Sequence, residues 1–181
     1  MNTLDEILAL FTRSGGGAYF GEAVTQLEHA LQAAHFAAAD GASDELILAA
    51  LLHDVGHLVQ QTPADIAEWH TDARHEIVGA AWLAKRFGPE VSDPVRLHVP
   101  AKRYLCATDP GYALQLSDAS VVTLRLQGGP MSAAEVAQFE LEPLHRDALQ
   151  VRRCDDRGKV AGLRTRGLTD YRPLIERLAL P

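Results

Sequence analysis

Two histidines and an aspartate interrupt an apolar run, Leu51-Leu52-His53-Asp54-Val55-Gly56-His57-Leu58. Read as helix, the run puts His53 and His57 one turn apart on one face, with Asp54 about 100° round from His53. Leu48, Ala49, Leu51, Leu52 and Val55 surround them with hydrocarbon, where an unpaired polar group is costly. Imidazole nitrogens and a carboxylate converging there need a partner, and a metal ion satisfies several at once.

Other residues suited to the same chemistry lie at helical spacings on either side. His29 precedes His53 by 24 residues, a separation that fits a helix, a turn and an antiparallel return. His35 falls on the same stripe as His29, and a histidine on such a helix, taken alone, is more often a satisfied core or surface residue. His75 lies in a later amphipathic stretch with Val78, Ala81 and Trp82, while His70 sits in a less periodic one and reads as surface. His98 and Lys102 are i,i+4 neighbours, so a cation stands one turn from a candidate ligand. Such a lysine is a poor ligand but well placed to hold an anion bound to a metal, with a solvent-facing lysine as the alternative. Asp155 and Asp156 close the set, or are solvated charges at a helix end. Tyr19, after Gly15-Gly16-Gly17, is either part of a mobile lid over about 14–22 or a staple, with Phe20, at a helix entry.

The elements that position these residues are all helical by pattern. Thr3 with Glu6 forms a capping box for a first helix striped by Leu4, Ile7, Leu8 and Phe11. A second runs from Glu22 to about Asp40, burying Val24, Leu27, Leu31, Ala34 and Ala38. Ser43 caps a third, which carries the His53-Asp54 run unbroken to Val59 or Gln60, before Gln61-Thr62-Pro63 and a short segment from Ala64 to Trp69. Further helices are expected over Asp72–Phe87, Val95–Cys106 with Pro100 interrupting its start, Leu114–Leu126, a short one capped by Ser132 with Glu135, and a long one opened by Pro143 that buries Leu144, Ala148 and Val151. A last one over Asp170–Leu178 packs across the bundle. Thr108-Asp109-Pro110-Gly111 and Gln127-Gly128-Gly129-Pro130 are turns. At 181 residues, without a repeat or linker, one all-α domain spanning 1–181 is expected.

Composition narrows the function classes. Hydrophobic residues make up 47% and aromatics 6%, with Ala and Leu abundant, which favours helix over strand. A net charge of −7 without a basic stripe argues against nucleic acid as a partner. The one Arg-dense region, Arg152 to Arg166, reads as a solvated helix end or as a phosphate grip. Cys106 and Cys154 match no metal or disulfide spacing, which fits a reducing, cytoplasmic compartment. The acidic start of the chain and the lack of a long apolar run give no reason to expect secretion or a membrane partner.

His29, then His53-Asp54, then His75, His98 and a late aspartate resemble the HD-domain superfamily of metal-dependent proteins, in its six-ligand, dinuclear form. Tyr19-x-x-Glu22 ahead of His29, His57, the run His98-Val-Pro-Ala-Lys102-Arg-Tyr-Leu, Leu116-Ser-Asp-Ala-Ser120 and a lysine four residues after Asp155 narrow the resemblance. These features look like the mixed-valent diiron oxygenases that cleave organophosphonates. The resemblance implies a helical bundle and two iron ions, Fe(II) and Fe(III), with O2 as co-substrate. It implies His29, His53, Asp54, His75, His98 and Asp155 as ligands, with Asp54 bridging and Tyr19 as a ligand lost when substrate arrives. It also implies that Glu22 comes to face a substrate amine while His57, Lys102, Ser120 and Thr123 hold the phosphonate. The substrate would be a 1-hydroxy-2-aminoethylphosphonate or its trimethylamino form, cleaved to phosphate and glycine or glycine betaine. An HD phosphohydrolase would use the same ligands but has no need of Tyr19, and a catalytically silent HD module would not be expected to keep all six.

Overall fold

A computed structural model describes residues 2–62 and 72–181 of the chain. The expectations for Pro63, for Ala64–Trp69 and for His70 lie outside the described residues. The architecture is all-α, as expected: among the described residues the one extended feature is an isolated antiparallel bridge between Ala18 and Thr25. No helix is long and apolar enough to cross a membrane among those residues.

Helix α1 (Thr3–Ser14) is capped by Asn2, whose side chain accepts from the Asp5 N–H, and not by Thr3. It buries Leu4, Ile7, Leu10 and Phe11, with Leu8 at the margin. The glycine-rich segment that follows is tied down by its backbone. Tyr19 N–H donates to Val24 O at 3.0 Å, Glu22 N–H to Tyr19 O at 2.8 Å, and Gln26 N–H to Gly17 O at 3.0 Å. Phe20 (φ 44°) and Gly21 (φ 84°) are its two central residues, the left-handed pair of a tight hairpin turn. Tyr19, Phe20 and Val24 are buried together.

Helix α2 (Gln26–Ala39) therefore starts later than the periodicity suggests. Thr25 and Glu28 form a reciprocal capping box that fixes the start. Its inner face is His29, Ala30, Leu31, Gln32, Ala33, Ala34 and Ala37, while Ala38 is exposed and Leu27 and His35 are half-buried. Ser43 caps α3 (Asp44–Leu52) as expected. The continuous third helix is not found: the chain breaks at His53-Asp54 and resumes as α4 (Val55–Gln60), with Asp54 at φ −99°, ψ 10°. That is the sparsely allowed region between helix and strand, where turn and active-site residues sit.

Helix α5 (His75–Leu83) is shorter than expected and buries Gly79, Ala80 and Leu83, with Ala81 exposed. Helix α6 (Pro89–Thr108) is longer, running through Pro94 and Pro100. Each proline forgoes one backbone hydrogen bond, but α6 is packed against α3, α5 and α9, and burial of Val91, Val95, Leu97, Ala101 and Leu105 outweighs the loss. The helix expected from Leu114 splits into a 3-10 turn, Ala113–Gln115, and α7 (Asp118–Leu126), because the Ser117 side chain caps Ser120 N–H. Helix α8 (Ala133–Phe139) carries the expected capping box from Ser132 and Glu135. Helix α9 (His145–Arg157) buries Ala148 and Val151, with Leu144 half-buried, and lies against α2 and α6. A 3-10 turn over Leu168–Tyr171 leads into α10 (Arg172–Leu178), which packs on α1 and α3. Leu48, Leu51, Leu52, Phe87 and Ile175 fill the centre.

Candidate metal centre and pocket

Five places in the fold send side chains to one buried point: His29 from α2, His53 and Asp54 from the α3–α4 break, His75 from the start of α5, His98 from α6, and Asp155 from the end of α9. His29 Nε2 and His53 Nε2 are 3.0 Å apart, and Asp155 Oδ1 lies 3.4 and 3.9 Å from them. Asp54 Oδ2 is 3.7 and 3.4 Å from the same two nitrogens. Its other oxygen, Oδ1, is 3.2 Å from His75 Nε2 and 3.6 Å from His98 Nε2, which are themselves 3.1 Å apart. One carboxylate thus faces two groups of ligand atoms, one on each oxygen.

The tautomers decide what these contacts mean. His29 Nδ1–H donates to Gly158 O at 2.8 Å, His53 Nδ1–H to Ala50 O at 2.8 Å, and His98 Nδ1–H to Val95 O at 2.7 Å. With the proton of a neutral ring on Nδ1, each Nε2 presents a lone pair. Lone pairs 3.0 Å apart repel each other, and Asp155 Oδ1 is buried without a hydrogen-bond partner. Cations resolve both problems, so these residues fit two metal ions. The electrostatics agree. Burial disfavours charge on Asp54, but His53, His75 and His98 hold its carboxyl well below the usual range. Burial likewise opposes charge on His53, yet Asp54 and Asp155 draw it up to about 9, a proton doing what a metal ion would do. For His98 burial wins, with His75 and His53 adding to it, and it falls to about 4.

Tyr19 stacks on His29, ring centroids 3.8 Å apart. Its hydroxyl donates to Asp54 Oδ2 at 2.8 Å, on the oxygen shared with His29 and His53. Burial and the charges of Asp54 and Asp155 hold its phenol well above the ordinary value, so it is a donor. His57 stacks on His75 at 3.9 Å, meets Phe20 edge-on, and its Nδ1 is 3.2 Å from Thr62 Oγ1. Burial and neighbouring histidines keep it neutral, with its pKa well below the usual imidazole value.

A cavity of about 40 Å³ opens beside the cluster, bordered by Asp54, His57, Lys102, Ser120, Thr123 and Lys159 among others. Lys102 is 2% exposed, and its Nζ donates to Thr123 Oγ1 at 2.9 Å. Burial, helped by Arg152, lowers its pKa to about 7 against the pull of Asp155 and Asp156. Glu22 stands at the margin, its Oε1 3.4 Å from Lys159 Nζ.

The structure thus brings His29, His53, Asp54, His75, His98 and Asp155 into one cluster, with Tyr19, His57, Lys102, Ser120 and Thr123 around the adjoining cavity and Glu22 at its margin, whereas His35 packs against Phe36 instead. It also adds some. Arg152, read above as solvated or as a phosphate grip, is buried and 2.6 Å from Asp155 Oδ2. It also bonds Asp156 and the Tyr112 hydroxyl, so Asp155 turns to the cluster while Asp156 turns away. The i,i+3 and i,i+4 spacing of Arg152 to the two aspartates was the available signal. Lys159 entered only as a spacing marker, yet it is part of the pocket wall.

Residues 26–155 match the HD domain family. The chain is 48% identical over 165 residues to the hydroxymethylphosphonate dioxygenase of Gimesia maris, covering 89% of this chain and 81% of that protein. It is 42% identical over 177 residues to the glycine-betaine-forming [1-hydroxy-2-(trimethylamino)ethyl]phosphonate dioxygenase of Leisingera caerulea, covering 98% and 90%. An uncharacterised protein of Acanthamoeba polyphaga mimivirus is 36% identical over 177 residues.

Proposed function

The chain belongs to the HD-domain family, in the branch that holds the phosphonate dioxygenases, and on that premise we propose that it cleaves the C–P bond of a small 1-hydroxyphosphonate with O2 at a diiron centre. The observation that carries the reading is Asp54, with each oxygen turned to a separate group of Nε2 lone pairs. The overall change takes a 1-hydroxyphosphonate dianion and O2 to a carboxylate, hydrogen phosphate and a proton. Two iron ions, one Fe(II) and one Fe(III), would supply the electron and the Lewis acidity that activation of O2 and the C1 hydroxyl require.

The protein residues bind and orient. His29, His53, Asp155 and Asp54 Oδ2 would hold one ion; His75, His98 and Asp54 Oδ1 the other. The second set has fewer protein ligands, which leaves room for substrate and oxygen. Lys102, Ser120, Thr123 and His57 would hold the phosphonate, with Lys102 supplying charge and the others hydrogen bonds. Tyr19 would give up its place on Asp54 when substrate enters, and Glu22 would move with it because the two share one turn. The substituent at C1 is hydrogen, aminomethyl or trimethylaminomethyl, giving formate, glycine or glycine betaine. Glu22 suits either amine, through hydrogen bonds or through charge alone.

Iron-loaded protein, partly reduced and given each of the three substrates under limiting O2, is expected to take up O2 and release phosphate in equal amounts. Phosphate release without O2, or with Mg2+ in place of iron, would instead identify a phosphohydrolase.

A further inference from the structure

Lys159 shares the pocket with Lys102 but is held differently. Its Nζ donates to Ser120 Oγ at 3.0 Å and Ser117 Oγ at 3.2 Å. It lies 3.4 Å from Glu22 Oε1 and 5.9 Å from the centre of the Tyr19 ring. Glu22 Oε1 is buried and accepts no hydrogen bond, so this loose ion pair offsets its charge. One ammonium therefore joins the turn that carries Tyr19 to the start of α7, where Ser120 sits.

We propose that Lys159 is a positioning residue that couples arrival of the phosphonate to release of Tyr19; this rests on the phosphonate reading of the pocket. An ammonium has three N–H donors; Ser117 and Ser120 accept two of them, while Glu22 Oε1 stands 3.4 Å away as an ion-pair partner without a hydrogen bond. A phosphonate at Ser120 brings up to two negative charges to Nζ and accepts short, charge-assisted hydrogen bonds. The donor direction it takes is the one toward Glu22, the longest and least directional of the three contacts.

Loss of that contact reaches Tyr19 through the turn. Glu22 N–H donates to Tyr19 O at 2.8 Å, so the two residues move as a unit. Phe20 is held at φ 44°, a conformation costly for a bulky side chain that persists only where its surroundings impose it. The Lys159–Glu22 pair restrains one end of this turn and the Tyr19–Asp54 hydrogen bond the other. Removing the first weakens the second. The trigger acts on the anionic head that every substrate in the class carries, so it works with or without an amine.

Amide hydrogen exchange over 19–24 in anaerobic, iron-loaded protein tests this, with methylphosphonate as a probe that has the anionic head but no C1 hydroxyl. In the wild type, methylphosphonate is expected to speed exchange of this segment. Lys159→Met is expected to exchange there up to about fivefold faster without any ligand, the scale of one ion pair and its local opening, and to ignore methylphosphonate. Lys159→Arg keeps the response, and exchange in α10 is unchanged throughout, which separates coupling from general loosening. Wild-type protection and response in Lys159→Met overturn the proposal, as does methylphosphonate that binds wild type, by calorimetry, without changing exchange. Absence of methylphosphonate binding overturns the phosphonate reading of the pocket, and the coupling with it.

Discussion

Asp54 faces two sets of histidines because its backbone leaves the helix: at φ −99° its carboxylate points into the gap between α2, α5 and α6 instead of along α3. Its neighbours fix the protonation of the centre, since carbonyls from Gly158, Ala50 and Val95 take the Nδ1 protons and leave Nε2 free. Lys102 is a residue whose charge changes near neutrality. Burial brings it to about 7, so it is an ammonium below that pH and an amine above it. On the proposed reading, phosphonate binding needs the ammonium and is lost as pH rises through 7. For one group the KM for phosphonate should rise about tenfold between pH 6 and 8. Lys102→Arg stays charged across the range and should flatten the profile; the second ionisation of the phosphonate affects both proteins alike. Parallel profiles for the two proteins would remove Lys102 from the phosphonate site.

The helices were legible where local chemistry decides them: Ser43 and Ser132 cap what they were expected to cap, and the glycine-rich turns stop what they should stop. They were illegible where packing overrides local preference. Leu52-His53-Asp54-Val55 holds no Pro or Gly to stop a helix and its weak helix formers alone do not mark a boundary, so the break there goes with the centre it builds. Pro94 and Pro100 read as boundaries, yet α6 passes through both because three helices cover it. The candidate ligands were legible because histidine and aspartate on apolar faces are unusual. Arg152 and Lys159 were not, since a charge near a helix end ordinarily faces water. The contact between α4 and α5 is another such element-scale feature, visible only in three dimensions. A Cβ on Gly56 would lie 2.0 Å from the His75 carbonyl oxygen and 2.9 Å from Gly79 N, both backbone atoms that cannot swing aside. Gly56→Ala must therefore push α5 outward and carry His75 with it. Overpacking of this kind costs about 1–3 kcal/mol, so Tm should fall by several degrees, and bound metal per chain should fall with it. A variant with wild-type Tm and wild-type metal content would show that α4 and α5 separate freely without disturbing the centre.

Across the whole molecule, one set of ligands adds a second tie between helices that hydrophobic packing already joins. The main core draws on α1 to α6, α9 and α10, while smaller apolar clusters lie between α2, α3 and α9 and between α6, α8 and α9. The metal centre stands where these meet, drawing on α2, the α3–α4 break, α5, α6 and α9. Ions that bind this arrangement cannot bind the unfolded chain equally well, because its ligands are then far apart. Binding is therefore linked to folding, and free metal at 100 times its dissociation constant adds about 2.7 kcal/mol per site. For a chain of this size that corresponds to roughly 5–10 °C in Tm. Without metal, Asp155 Oδ1 is left with no partner and the facing Nε2 lone pairs must share protons, so the loss is largest at alkaline pH, where His53, raised to about 9, gives up its proton. Below that pH a protonated His53 partly replaces the cation. Thermal melts of iron-loaded and chelator-treated protein at pH 7 and at pH 10 should show a gap that widens at the higher pH. Equal Tm values with and without metal at both would mean that the cluster is satisfied by its own protons, and would sink the claim that these side chains are built around ions.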